Sequence, residues 1–195
     1  MGRRFSAGSW IADTLTERTS IACGSGRSAA LAMAIIAERG KCSRLLTNSA
    51  LCAQLASRIP ITLVAREIDA LDLTCFAPSH PAVNAHMGIQ VGIHAIRTVT
   101  PDGRILIRDG ASIGMKRFLA CASDRLFLLT SPAGLAKTDG VEVGNLQDFA
   151  ARKVRVTVVI GRGPLCCDRV PRAVELMGSF ESLSNRFPNM EVWMA

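Results

Sequence analysis

Apolar positions fall into short runs separated by glycine, proline and small polar residues, and the runs alternate between two periods. Trp10, Ile11 and Leu15 lie near one helical face and predict a first helix over 5–18. Ile21-Ala22-Cys23 is an apolar triplet of the kind a short buried strand needs. Gly24-Ser25-Gly26 breaks that run as a turn. Ser28 is placed to cap a helix over Ala29–Glu38, which Gly40 ends. The unit then recurs: Arg44-Leu45-Leu46 leads into Thr47-Asn48-Ser49, Ala50–Arg58 reads as a helix, and Pro60–Val64 as a strand. Leu71–Phe76 predicts a further strand.

Residues 77–103 are broken up by Pro78, Pro81 and Gly88, although Ile89–Ile96 alternates imperfectly and could be a strand. Pro101-Asp102-Gly103 is a turn signal and predicts a hairpin with Arg104–Arg108. Asp109-Gly110-Ala111-Ser112 leads into a helix over Ile113–Ser123. Arg125–Thr130 is an apolar strand, and Ser131–Gly134 a loop. Gly140–Phe149 reads as an extended piece plus a turn, Val154–Ile160 as a strand, Val170–Phe187 as a helical stretch, and Met190–Met194 as a final strand. Alternating strands and helices predict an α/β fold with a mostly parallel sheet flanked by helices.

Composition narrows the class. The chain has 195 residues, within the range of about 100–200 for one domain, so a single domain over 1–195 is expected. It is 49% hydrophobic and 20% charged, which excludes a mainly disordered protein. No apolar run is long enough for a transmembrane helix. The seven cysteines form no C-x-x-C pair and sit mostly in apolar runs, which reads as buried reduced thiols and a cytoplasmic protein. His80, His86 and His94 fall in the irregular middle without metal-ligand spacing, so no metal or other cofactor is expected. The net charge of +7 fits an anionic partner, nucleic acid or a phosphorylated small molecule alike. With no reading helix and few aromatics, direct DNA binding is not expected.

Three strand-to-helix junctions carry candidate chemistry. In Gly24-Ser25-Gly26-Arg27-Ser28, glycines let backbone N–H groups approach a phosphate, two hydroxyls add donors and Arg27 adds charge. An ordinary turn is the plain reading beside it. Thr47-Asn48-Ser49 could hold ligand hydroxyls or phosphate oxygens, or simply cap a helix. Arg108–Ser112 followed by Lys116-Arg117 could bind an anion, or form a solvated basic face. Ligands of open α/β sheets collect at the carboxyl ends of strands, which ties the junctions together.

The order of these pieces resembles a known superfamily. Residues 5–28, ending GSGRS, look like the helix and phosphate turn that open its domains. LLTNSALCAQLA at 45–56 is similar to a V-V-T-N-S signature followed by a helix, and MKRFLACASDRLFLLT at 115–130 to a third segment. The superfamily contains ribose-5-phosphate isomerase type A, the CoA transferases, glucosamine-phosphate deaminase and the sugar-phosphate sensor domains of DeoR-type regulators. The isomerase comparison departs at its acids: Phe76-Ala77-Pro78-Ser79 stands for D-G-A-D, Arg108-Asp109-Gly110-Ala111 for K-G-G-G, and the catalytic glutamate falls near Lys116. Isomerisation needs a carboxylate base, so no such activity is expected.

The resemblance therefore implies a sensor-like domain without a helix-turn-helix module. It would bind a small phosphorylated metabolite without converting it. Ser25, Gly26, Arg27 and Ser28 would hold the phosphate, Thr47, Asn48 and Ser49 the sugar or a second anionic group, and Lys116 would add charge. A homo-oligomer or a regulatory partner fits this reading. The alternatives are a divergent isomerase-like enzyme using Asp72, Asp109 or His80, and a non-catalytic interaction subunit.

Overall fold

The computed structural model describes residues 7–64, 67–68, 75–76, 88–108, 113–114, 116–117, 123–131, 134, 139–161, 185–187 and 190–194. Among the described residues, the helices with defined bounds are α1 (Ala7–Thr14), α2 (Arg27–Glu38), α3 (Ala50–Leu55) and α4 (Leu146–Ala151). The strands that matter most for the site are β1 (Thr19–Cys23), β2 (Cys42–Thr47), β3 (Ile61–Leu63), β6 (Val91–Ala95), β9 (Arg125–Thr130), β11 (Arg155–Ile160) and β12 (Met190–Met194). These seven form one sheet in the order β12-β11-β9-β6-β1-β2-β3, and every neighbouring pair is parallel. The expected α/β class with a parallel sheet is what the chain forms.

The remaining described strands lie outside this sheet. β7 (Thr98–Val99), β8 (Arg104–Ile107) and β10 (Val141–Asn145) make a three-stranded antiparallel sheet in the order β10-β8-β7. β4 (Glu67–Ile68) and β5 (Cys75–Phe76) pair with each other.

Both faces of the central strands β6, β9 and β11 are buried, which is why they read as near-continuous apolar runs. Strand β9 shows the division by its period of two. Phe127 and Leu129 join one core with Ile21, Ile93 and Met33 of α2. Leu126 and Leu128 join the other core with Ile105 and Ile107 of β8 and with Phe149 of α4. The helices α1, α2 and α3 thus cover one face, and the small sheet with α4 covers the opposite one. Trp10 of α1 stacks on Trp193 of β12 at 4.3 Å and meets the edge of Phe127 at 6.0 Å, pinning the helix across the sheet.

Several elements differ from the reading of the sequence. The α2 helix begins at Arg27 and its N-cap is Gly26, so Ser28 lies inside the first turn and caps nothing. Helix α3 stops at Leu55, short of Arg58, because the chain must turn before Pro60, which disfavours helix in the residue preceding it. Residues 140–149 are a strand followed by α4 rather than an extended piece with a turn. Asn145 caps that helix by accepting from Gln147 N–H at 2.9 Å, and buried Leu146 and Phe149 hold it in place. His94 belongs to no irregular stretch. It lies in β6, where parallel partners on both sides impose a strand despite Gly92. Most of the predicted strand at 71–76 and of the helices at 113–123 and 170–187 lies outside the described residues. Among the described residues, no helix is long and apolar enough to cross a membrane.

Candidate functional site

The sheet grows outward from β1 in two directions, to β2 and β3 on one side and to β6, β9, β11 and β12 on the other. The gap between the carboxyl ends of β1 and β6 is the point where that direction reverses, and open α/β sheets take their ligands there. Residues 24–28 leave β1 at this gap. Gly24 N–H donates to Ile93 O of β6 at 2.9 Å, which moors the start of the turn.

The two glycines are imposed by β6. A Cβ on Gly24 would lie 2.5 Å from Nδ1 of His94, and one on Gly26 would lie 2.6 Å from Cβ of Ala95. Gly26 also has φ +131°, a conformation that side chains rarely adopt. The backbone of the turn therefore runs directly against the end of the neighbouring strand.

The turn delivers an open helix start. No side chain caps α2, and Ala30 N–H is the first to find a backbone partner, Gly26 O at 3.0 Å. The donors ahead of it sit at the positive end of a 12-residue helix, beside the exposed side chains of Arg27 and Ser28. Such a terminus attracts anions.

The neighbouring junction is built differently. Thr47, Asn48 and Ser49 are at most 1% exposed. Thr47 Oγ1 donates to Cys23 O at 2.7 Å and accepts from Ser49 N–H at 3.1 Å. Ser49 Oγ caps α3 by accepting from Cys52 N–H at 3.1 Å. Asn48 Oδ1 accepts from Ser25 N–H at 3.0 Å. The three residues expected to touch a ligand make these bonds within the protein, and Asn48 braces the Ser25 peptide of the open turn.

His94 is the site residue that sequence reasoning missed. It is 3% exposed, and neither ring nitrogen has a hydrogen-bond partner. Burial pushes its pKa down to about 3, and the positive charge of Lys116 adds to that. Both residues line a small cavity whose other walls include Ile96, Leu128 and Phe149. Lys116 is thus beside the strand end that meets the turn. Arg117 serves elsewhere: its guanidinium donates to Val143 O at 3.2 Å and Glu142 O at 3.0 Å, tying the helical segment to β10. Arg108 is exposed, and Asp109–Ser112 lie outside the described residues, as do Asp72, His80 and His86.

Phe76 ends β5, outside the seven-stranded sheet, and 77–79 are outside the described residues. The strand end that faces the turn is that of β6, and it brings His94 and Ala95 there rather than carboxylates. Beneath the turn, Cys23, Cys42 and Cys52 are buried free thiols. Cys23 is pushed well up by its hydrogen bond with Cys52 and by burial, and burial pushes Cys42 up to about 11. Both are protonated at neutral pH and unreactive. Among the described residues, no cluster of three or more His, Cys, Asp or Glu could hold a metal ion.

No family model matches the sequence, and no curated protein matches it. Solved structures do. A D-ribose-5-phosphate isomerase in complex with phospho-erythronic acid is similar at 19% identity with a TM-score of 0.48. Ribose 5-phosphate isomerase A from Neisseria gonorrhoeae follows at 17% and 0.48, and the enzyme from Methanocaldococcus jannaschii at 14% and 0.46. Each match covers 67% of this chain and 52% of the other, so the chain spans about half the length of these isomerases. At this level of likeness the fold class rests on the sheet's own order and pairing. Fold and site together define an α/β parallel-sheet domain with an uncapped glycine turn at its switch point.

Proposed function

We propose that the chain binds a phosphorylated sugar or a related small anion at the Gly24–Ser28 turn without converting it. The observation that carries this reading is the open start of α2, set between β1 and β6 where ligands of such sheets collect. The phosphate would accept from the first backbone N–H groups of the helix and from Ser28, with Arg27 adding a charged donor. Asn48 would keep the turn in shape, and Lys116 would add positive potential from the β6 side.

Moving a proton between adjacent carbons needs a base, and among the described residues the groups meeting the turn are an alanine, an asparagine and the His94 imidazole, whose pKa of about 3 makes it a weak one. A binding role follows: a metabolite sensor like the effector domain of DeoR-type regulators, in the cytoplasm, acting through a second copy or a regulatory partner. The competing reading is a divergent isomerase-like enzyme. It draws on the adjacency of His94 and Lys116, and a metabolite-turnover screen whose activity disappears in Lys116→Ala would establish it.

Calorimetric titration with inorganic phosphate tests the binding reading. Wild type is expected to bind, and Arg27→Glu to lose about tenfold in affinity, or 1.4 kcal/mol. Absence of binding by wild type would end the proposal.

A further inference from the structure

Helix α2 packs against α1, α3 and the sheet, and its outer ridge is left to solvent. Arg27, Leu31 and Glu38 on that ridge are exposed, and Ala34 is half-buried. They follow one another at steps of four, three and four residues, so they form one stripe about 16 Å long. Leu31, 59% exposed, is the most exposed large apolar side chain among the described residues. Alone it would need no explanation. The charges at the two ends of the stripe do. Arg27 opens the helix and Glu38 closes it, so each lies at the pole of the helix dipole that carries its own sign. Neither is in an ion pair among the described residues, and the adjacent Arg39 is held by Asp13 at 2.6 Å.

We propose that this ridge is a self-association surface, on which α2 of a second copy of the chain lies antiparallel about a twofold axis. An axis through the middle of the helix sets Arg27 opposite Glu38 of the second copy, and Leu31 opposite its Ala34. The stripe is thus complementary to itself, as an isologous contact requires. Each contact occurs twice. Each Leu31 enters the space left by an alanine, and each charge meets an opposite charge at the pole of the neighbouring helix that attracts it. One helix face is smaller than a standard interface, so the pair is weak and reversible, with a Kd on the order of 10 µM. The surface stands independently of the anion-binding reading, but the two share Arg27. If that reading holds, a phosphate at the start of α2 displaces the Glu38 carboxylate of the second copy, and the ligand loosens the pair.

Analytical ultracentrifugation over a range of protein concentrations tests the surface. Wild type is expected to dimerise reversibly, and more weakly as salt is raised. Leu31→Gln, which leaves the charge of the helix unchanged, should weaken the dimer by about tenfold or more. Glu38→Lys should weaken it about as much, although a lysine suits the dipole of its own helix better. Combining Glu38→Lys with Arg27→Glu reverses both charges and should restore most of the lost affinity. All three positions are exposed, so the variants keep the fold. Wild type that stays monomeric at about 0.1 mM, well above the expected Kd, overturns the proposal. So does a dimer that Leu31→Gln leaves intact, or a double variant no tighter than Glu38→Lys. Inorganic phosphate should raise the dimer Kd of wild type. Phosphate that binds by calorimetry without that rise overturns the pairing of Arg27 with Glu38, whereas phosphate that does not bind overturns the anion reading alone.

Discussion

The β1–α2 and β2–α3 junctions are neighbours in one parallel sheet, and both carry small polar residues. Their hydrogen bonds run in opposite directions. After β2, Thr47, Asn48 and Ser49 satisfy the helix start, the preceding strand and the adjacent turn, and become buried in doing so. After β1, the hydroxyls of Ser25 and Ser28 cap nothing, and Gly26 occupies the N-cap, so no side chain satisfies the α2 donors. The same vocabulary of Ser, Thr, Asn and Gly thus yields a closed junction that supports and an open one that can receive. Whether the capping residue has a side-chain oxygen separates them.

The largest effect is expected from filling the open turn. Gly26→Val forces a branched side chain into φ +131° and against Ala95. Backbone strain and overpacking together should cost about 3 kcal/mol or more, read as a lower midpoint in urea denaturation. A change of similar size in the closed junction would have to remove a buried hydrogen bond instead.

Acid comes next, acting through His94 below the open turn. Its folded pKa of about 3 lies below the ordinary value of 6.5, so the unfolded chain binds more protons between those limits. Above pH 6.5 the imidazole is neutral in both states, no protonation penalty applies, and the stability of the fold is undiminished. It falls away as pH drops toward 3, by on the order of a few kcal/mol. Denaturation curves of wild type and His94→Leu across that window isolate this contribution from the carboxylates common to both. Parallel pH profiles would show that His94 does not carry it.

The smallest effects compare the two serines directly. Ser49→Ala removes the α3 cap and should cost about 1 kcal/mol. Ser28→Ala should change stability by less than about 0.5 kcal/mol, since Ser28 is exposed and caps nothing. Equal losses, measured side by side in urea, would erase the distinction between the junctions.

What the sequence disclosed follows the same division between local and distant causes. β9 was readable to the residue because burial on both faces makes a strand a continuous apolar run. The capping use of Ser49 was equally visible, since it depends on residues three positions apart. His94 was not readable as a site residue. Its importance arises from Gly24, 70 positions earlier in the chain and brought alongside only by parallel pairing of β6 with β1. Arg117 shows the reverse error: it read as free positive charge, yet its guanidinium is committed to the carbonyls of β10. Helix α4, at six residues, is too short to write a period and is held by Leu146 and Phe149 from the core side.

The stack of Trp10 on Trp193 has a use beyond packing. The chain contains two tryptophans, and they are in van der Waals contact between the first described helix and the last strand. Two indoles at 4.3 Å couple their electronic transitions, so the circular dichroism of the protein carries a signal that neither ring would give alone. Because it vanishes when α1 leaves β12, the molecule contains an optical gauge of its own closure, readable without a label.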